Sequence, residues 1–233
     1  MDARREQIIA SLRTDQGPQT LKATLKIGVP HPSAPLVQWT DGLLAYQKES
    51  SFLYLKAYQP LVPVYFLLKS SQGKFELYFP RAYTVFSGAN DLLGKDVDTD
   101  LKLNAGDILK AIGPLTIKGG EEIRWEESPD GEKVVIKDDL GKVTRTLTLD
   151  QRNKIVRVTF YNEAGFPSLD IFRSNFKTAN GIEFPFELKL KRLIPAPSEL
   201  ILNFKEIRPG EPLNPVIFTN QFPTDAKRVE LTQ

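Results

Sequence analysis

The stretch 51–88, SFLYLKAYQPLVPVYFLLKSSQGKFELYFPRAYTVFSG, constrains the fold of this chain more than any other. Leu53, Leu55 and Ala57 alternate with Phe52, Tyr54, Lys56 and Tyr58, so one face is uniformly aliphatic. A Gln59-Pro60 break separates this run from a second, 64–69. Ser70-Ser71-Gln72-Gly73 is a turn, with glycine supplying a positive φ at low cost. Phe75, Leu77 and Phe79 then share a face, with Glu76 and Tyr78 opposite. Period-two alternation between turn signals predicts three or four adjacent antiparallel strands. Tyr65, Phe66, Leu67 and Leu68 are consecutive, so the second strand is apolar on both sides. Two readings follow: a central strand covered on both faces, or a sheet curved around an apolar cavity.

Composition narrows the function classes. Thirty-one basic residues against 29 acidic ones leave a net charge of +2, and the charges are interleaved. Without a dominant basic field, nucleic acid is not expected as a partner. The chain has no cysteine, which excludes disulfides, thiolate metal sites and a cysteine nucleophile. No apolar run is long enough to span a membrane as a helix. Met1-Asp2-Ala3-Arg4-Arg5 reads as a start placed on a trimmed mature sequence, in which a removed signal peptide or lipid-bearing cysteine would leave no trace.

The 233 residues read as one domain, 1–233, a long antiparallel meander with two or three short helices. Residues 2–13 form a charged helix with a narrow apolar stripe of Ile8, Ile9 and Leu12. Strands follow at 21–29 and 37–47, the second with a bulge at Asp41-Gly42. Asn104 caps a helix over 105–112, with Asp107 at its third position and Gly113-Pro114 as its stop. Further strands are predicted at 122–127, 133–137, 142–149, 155–161, 168–173, 182–193 and 199–207, joined by hairpin-type turns. Phe184, Phe186, Leu188 and Leu190 share one face. The tail from Pro209 is proline-rich, with one helical turn or strand at 216–218.

Candidate catalytic groups do not assemble. His31, the one histidine, lies between prolines in a loop. Asp96, Asp98 and Asp100 alternate, but without the glycine and distal glutamate of a calcium loop. There is no G-x-S-x-G, and Gly119-Gly120 is not followed by a phosphate-binding lysine. Glu121, Glu122, Glu126 and Glu127 flank Trp125 and read as outward strand charges, although a carboxylate hydrolase would use such groups. The reading is therefore not an enzyme: no catalytic residues, no metal ligands, no cofactor. What remains is apolar surface. Leu53, Leu55, Phe66, Leu68, Leu77, Phe79, Trp125, Phe184, Phe186 and Leu188 are expected to wall a hydrophobic cavity. The two helices would form a lid through Ile8, Ile9, Leu12, Ile108, Leu109 and Ile112, the strands offering more apolar face than they can cover.

The run LYLKAYQPLVPVYFLL, then GKFELYFPRAYTVFSG, the helix NAGDILKAIGPL, and the meander LTLDQRNKIVRVTFYN with NGIEFPFELKL resemble the bacterial outer-membrane lipoprotein-sorting superfamily. The pattern is that of LolA/LolB-like proteins and looks closest to the LolB-like branch. The resemblance implies an unclosed β-barrel of about eleven strands capped by short helices. It implies a lipid-anchored monomer on the periplasmic side of the outer membrane. Such a protein takes up acyl chains of lipoproteins or lipids, receives them from a periplasmic carrier protein, and serves lipoprotein transport as a chaperone to the inner leaflet of the outer membrane. The match to the branch's protruding loop places a membrane-probing tip at Leu61 and Val62. The LolA branch latches its lid with a strand arginine, and none here is matched from the sequence. The alternative reading is a non-transport envelope lipoprotein of the same fold that binds another apolar ligand or a protein partner.

Overall fold

Alternating polarity makes each strand two-faced, and the sheet arises from burying one face. The computed structural model describes residues 3–14, 17–30, 36–59, 62–92, 104–128, 131–194, 197–219 and 222–232, with backbone alone at 62, 63 and 128. Helix α1 (Ala3–Arg13) precedes β1 (Thr20–Pro30), β2 (Val37–Gln47), β3 (Phe52–Gln59), β4 (Val62–Ser71), β5 (Lys74–Phe79) and β6 (Thr84–Ala89). Helix α2 (Ala105–Ile112) separates these from β7 (Glu122–Ser128), β8 (Gly131–Lys137), β9 (Val143–Leu149) and β10 (Ile155–Tyr161). The chain continues through β11 (Pro167–Ala179), β12 (Ile182–Arg192), β13 (Ser198–Pro209) and β14 (Lys227–Glu230).

These strands form one sheet in the order β14-β6-β5-β4-β3-β2-β1-β13-β12-β11-β10-β9-β8-β7. Two sequential meanders are thus zipped together along β1 and β13. The sheet is mainly antiparallel, large and curved, and it does not close into a barrel. The resemblance implied about eleven strands; the described residues hold 14. The edge strand β14 also departs from the antiparallel expectation, because it runs parallel to β6.

The period-two reading places the strand faces as expected. Leu55, Leu68 and Leu77 lie directly opposite one another across β3, β4 and β5. All three are fully buried in the main core cluster, on the concave side with the helices. Leu67 faces the other way, into a second cluster with Ala45, Phe52, Tyr54, Val85, Phe222 and Ala226. The consecutive apolar residues of β4 are therefore explained by two covers: Phe66 and Leu68 face inward and Leu67 outward.

Two local expectations need correction. No bulge occurs at Asp41-Gly42, since the β1–β2 register runs without a break from Thr20↔Gln47 to Pro30↔Val37. Gly42 serves a close approach instead: a Cβ there would stand 2.7 Å from Ile27 Cδ1. Strand β11 does not stop at Arg173 but runs to Ala179, passing an irregularity at Asn175, which adopts φ 54° and drops out of the β11–β12 register. In the tail, residues 215–218 form a 3-10 turn, the helical alternative of the sequence reading, and a strand that it did not contain, β14, follows.

Candidate functional site: the concave face and its covers

The structure brings the residues named as a cavity wall onto one surface. Leu53, Leu55, Leu68, Leu77 and Leu188 are fully buried, and Phe66, Phe184 and Phe186 nearly so. Phe79 and Trp125 are half-buried and pack on the same cluster. The expectation of more apolar face than the helices can cover fails for this state: the described wall residues are closed off by α1, α2 and one another.

Helix α2 carries the better cover. The Asn104 side chain accepts from the Asp107 amide at 2.7 Å and Asp107 reaches back to the Asn104 amide, a capping box as the sequence implies. Ile108 and Ile112 are buried, and Leu109 packs beside them. From α1, Leu12 and Ile8 join the cluster, whereas Ile9 is half-buried and stays outside it. Eight and 11 residues are too few for helices stable alone in water, so both depend on this packing.

Ion pairs pin the cover to the sheet. Arg192 on β12 donates from Nε to Asp107 Oδ2 at 2.9 Å and approaches it with Nη2 at 2.7 Å, both side chains being almost wholly buried. This strand arginine holding a helix was not found from the sequence, because 85 residues separate the partners. Burial raises the Asp107 pKa and outweighs the opposing pull of Arg192. Arg145 on β9 grips Glu121 with two hydrogen bonds, at 2.8 and 2.9 Å, and donates to the Thr116 carbonyl at 2.7 Å. Glu121 is thus not an exposed strand charge. Burial acts to raise its pKa, but Arg145 and the Lys118 amide hold it below the usual carboxylate value. Glu122, Glu126 and Glu127 are exposed as expected. On α1, Arg4 and Arg5 both reach Glu132 of β8, and Arg5 lies over the Trp125 ring at 5.1 Å.

One cavity, of about 230 Å³, opens where the helix exits meet β11 and β12. Leu12, Ile112, Pro114, Ile155, Ile182 and Phe184 give it apolar walls, and Arg173 also lines it. On the convex side, an apolar groove of about 310 Å³ runs between Leu43, Ala45 and Tyr54 and the tail residues Leu213 and Ile217. Leu61, His31 and the Asp96, Asp98, Asp100 run lie outside the described residues, as does the side chain of Val62. Among the described residues no cluster of histidine and carboxylates is placed to hold a metal ion, and no helix is long and apolar enough to cross a membrane.

No protein-family model matches this chain, and no curated protein matches it. Solved structures do match. A LolA superfamily protein from Nitrosomonas europaea is 14% identical, with a TM-score of 0.61 over 94% of this chain and 98% of that one. A DUF1329 family protein from Desulfovibrio piger is 12% identical, with a TM-score of 0.64 over 91% and 95%. An outer membrane lipoprotein-sorting protein domain from Vibrio parahaemolyticus is 15% identical, with a TM-score of 0.57 over 92% and 94%. The fold is that of these LolA-superfamily and lipoprotein-sorting structures.

Proposed function

We propose that this protein is a carrier or acceptor for acyl chains in the bacterial envelope, not an enzyme, and that it works by displacing its two helices from the concave face. The observation carrying this reading is a large concave apolar face whose helical covers are short and held by ion pairs, α2 with an amphipathic face and α1 through little more than Ile8 and Leu12. The fold of the lipoprotein-sorting neighbours supports it. Burying an acyl chain gains about 0.8 kcal/mol per methylene, so most of one chain gains on the order of 10 kcal/mol before ordering costs. Release needs only a competing membrane and no nucleotide.

The finer assignment is to the LolB-like branch: a single-domain, lipid-anchored monomer on the periplasmic side of the outer membrane, passed its cargo by a periplasmic carrier. Leu61, between β3 and β4 in sequence, and Val62, the first residue of β4, are then the membrane-probing residues. Arg192 is the latch, and Ile8, Leu12, Ile108, Leu109 and Ile112 are the movable lid over Leu53, Phe66, Leu77, Phe186 and their neighbours.

The test is displacement of a fluorescent acyl probe together with lipoprotein transfer to liposomes. Phe66→Glu is a poor variant, because Phe66 is 2% exposed and a buried carboxylate would unfold the core. Asp107→Asn is better. It keeps the cap while weakening the latch, so the open population rises and the probe binds more tightly. Leu61→Glu should leave binding intact and slow delivery. If neither wild type nor Asp107→Asn binds an acyl probe, the carrier reading is wrong. The packed interior would then be plain core, as the non-transport alternative requires.

A further inference from the structure

Arg173 is a misfit on the concave face. It stands directly opposite Leu188 in the β11–β12 register, and Leu188 is fully buried in the inner cluster. Its neighbour two positions back, Ile171, is in the same cluster, so the strand turns an arginine into an otherwise aliphatic surface. The residue as a whole is partly covered, but its Nε is sealed from solvent and has no hydrogen-bond partner among the described residues. Burial alone pulls its pKa down to about 10, with no carboxylate acting on it. Glu183 also lines the cavity, but it is engaged with Lys154. The Phe176 ring sits 6.0 Å from the guanidinium, the outer limit of a useful ring contact. The other inward-reaching arginines, Arg192 and Arg145, have carboxylates in Asp107 and Glu121; among the described residues Arg173 has none.

A sealed guanidinium N–H without an acceptor is costly, and fork-shaped donors match planar or tetrahedral oxyanions. Its cavity is walled by Leu12, Ile112, Pro114, Ile155, Ile182 and Phe184, and it lies beside the exits of both helices. We propose that Arg173 is the anchor for a singly charged oxyanion carried on an apolar chain, the carboxylate or phosphodiester of an amphiphile whose tail follows the concave face. This rests on the acyl-binding reading and specifies its ligand class as anionic amphiphiles. The anion would supply the missing acceptor at Nε, and the chain would extend from Phe184 toward the wall beneath α2.

The experiment measures displacement of phenylnaphthylamine, a neutral probe, from the whole chain. Competitors are laurate against dodecanol, and lauroyl lysophosphatidylglycerol against monolaurin. Wild type should prefer the charged member of at least one pair by about tenfold, the usual scale of a charge-assisted hydrogen bond. Arg173→Met should bring that ratio close to one while neutral competitors still displace, and Arg173→Lys should keep part of it. Removing an unpaired buried charge should not cost stability; if Arg173→Met nonetheless misfolds by circular dichroism, Arg173→Lys against wild type carries the comparison. A preference confined to laurate identifies fatty-acid carboxylates, and one confined to the lysophospholipid identifies lipid headgroups. If wild type treats charged and neutral members alike, or Arg173→Met keeps the preference, the anchor is wrong and acyl binding survives. If no competitor and no acyl probe binds at all, both fall together.

Discussion

The two covers of the sheet are built from opposite materials. The concave face is closed by two helices and the link after α2, whose apolar contacts are supplemented by buried or half-buried ion pairs: Arg192 with Asp107, Arg145 with Glu121, and Arg5 with Glu132. The convex face of β2–β6 is closed by an extended tail held through rings. Phe218 lies 4.6 Å from Phe52, Phe222 lies 6.2 Å from Tyr78, and Lys69 donates to the Thr219 carbonyl beneath the Phe222 ring. The tail then becomes β14, hydrogen-bonded in register with β6. A ring cluster loses its stabilisation gradually as it separates, because dispersion and burial scale with area. A buried ion pair has two arrangements, engaged or hydrated, which suits a cover that opens. The other half of the sheet, β7–β12, has no comparable tail laid on its convex side among the described residues.

The sharpest break in this comparison should come from Arg192→Met. It strands Asp107 in the interior without its cation, and such losses cost about 3–5 kcal/mol. Chemical denaturation should show that loss. Arg192→Met with Asp107→Asn should recover most of it, because the stranded charge is then gone. A double variant no better than the single one would mean that the pair is held by packing alone.

Phe222→Ala tests the outer cover. The ring is nearly buried in the second cluster, and removing such a ring costs about 3 kcal/mol when its site cannot collapse. The strap can peel off locally, so the expected signature is lost amide protection over 222–231 before any large change in global stability. Protection unchanged there would refute the ring-held strap.

The two inner latches should also answer pH with opposite signs. The Asp107 pKa is raised above 3.8 in the folded state. Its contribution is therefore fully present below that value and lost as pH rises through the folded pKa. Glu121 is lowered below 4.5, so its contribution is present above that value and lost as pH falls through the folded pKa. Acidifying from neutrality toward pH ~4 should thus stabilise wild type relative to Asp107→Asn, read as a rising denaturation midpoint for wild type alone. Against Glu121→Gln, wild type should instead lose its advantage below pH ~4.5. Equal pH profiles for all three proteins would sink both assignments.

How much of this was legible in the sequence follows from range. The faces of β3, β4, β5 and β12 were legible because period two is a local property, and the Asn104 cap because its partner is three residues away. Gly42 misled because a glycine inside a strand signals a bulge and a close approach equally well; only Ile27, 15 positions upstream but adjacent across the ladder, decides it. The tail looked like a proline-rich exit because its partners, Phe52 and Tyr78, are far away in sequence. Arg192 looked like one more strand charge for the same reason. Arg173 was readable in part: Ile171 and Arg173 share a face, and an arginine in step with an aliphatic row is a local anomaly. Asn175, left-handed and outside the pairing, interrupts the pattern and hid the continuation of the strand, although the register resumes unchanged at Phe176.

The smallest effect should come at the far hook of the strap. The Tyr83 hydroxyl donates to Asp225 Oδ1 at 2.6 Å, a short contact that looks strong. That hydrogen bond is the first cause of a raised Tyr83 pKa, so its contribution is present near neutral pH and is lost only as pH rises through the folded Tyr83 value. Yet Tyr83 is exposed, and water competes for both groups. The strap is also held beside this point by backbone: the Lys227 amide donates to the Tyr83 carbonyl at 3.0 Å, and the Leu231 amide donates to the Ser87 carbonyl at 2.7 Å. Tyr83→Phe should therefore leave the melting temperature and the amide protection of β14 unchanged, while Phe222→Ala strips that protection. Should Tyr83→Phe release β14 and Phe222→Ala not, the strap is held by a polar hook. The contrast between a ring-held outer cover and an ion-pair-held inner one would then be lost.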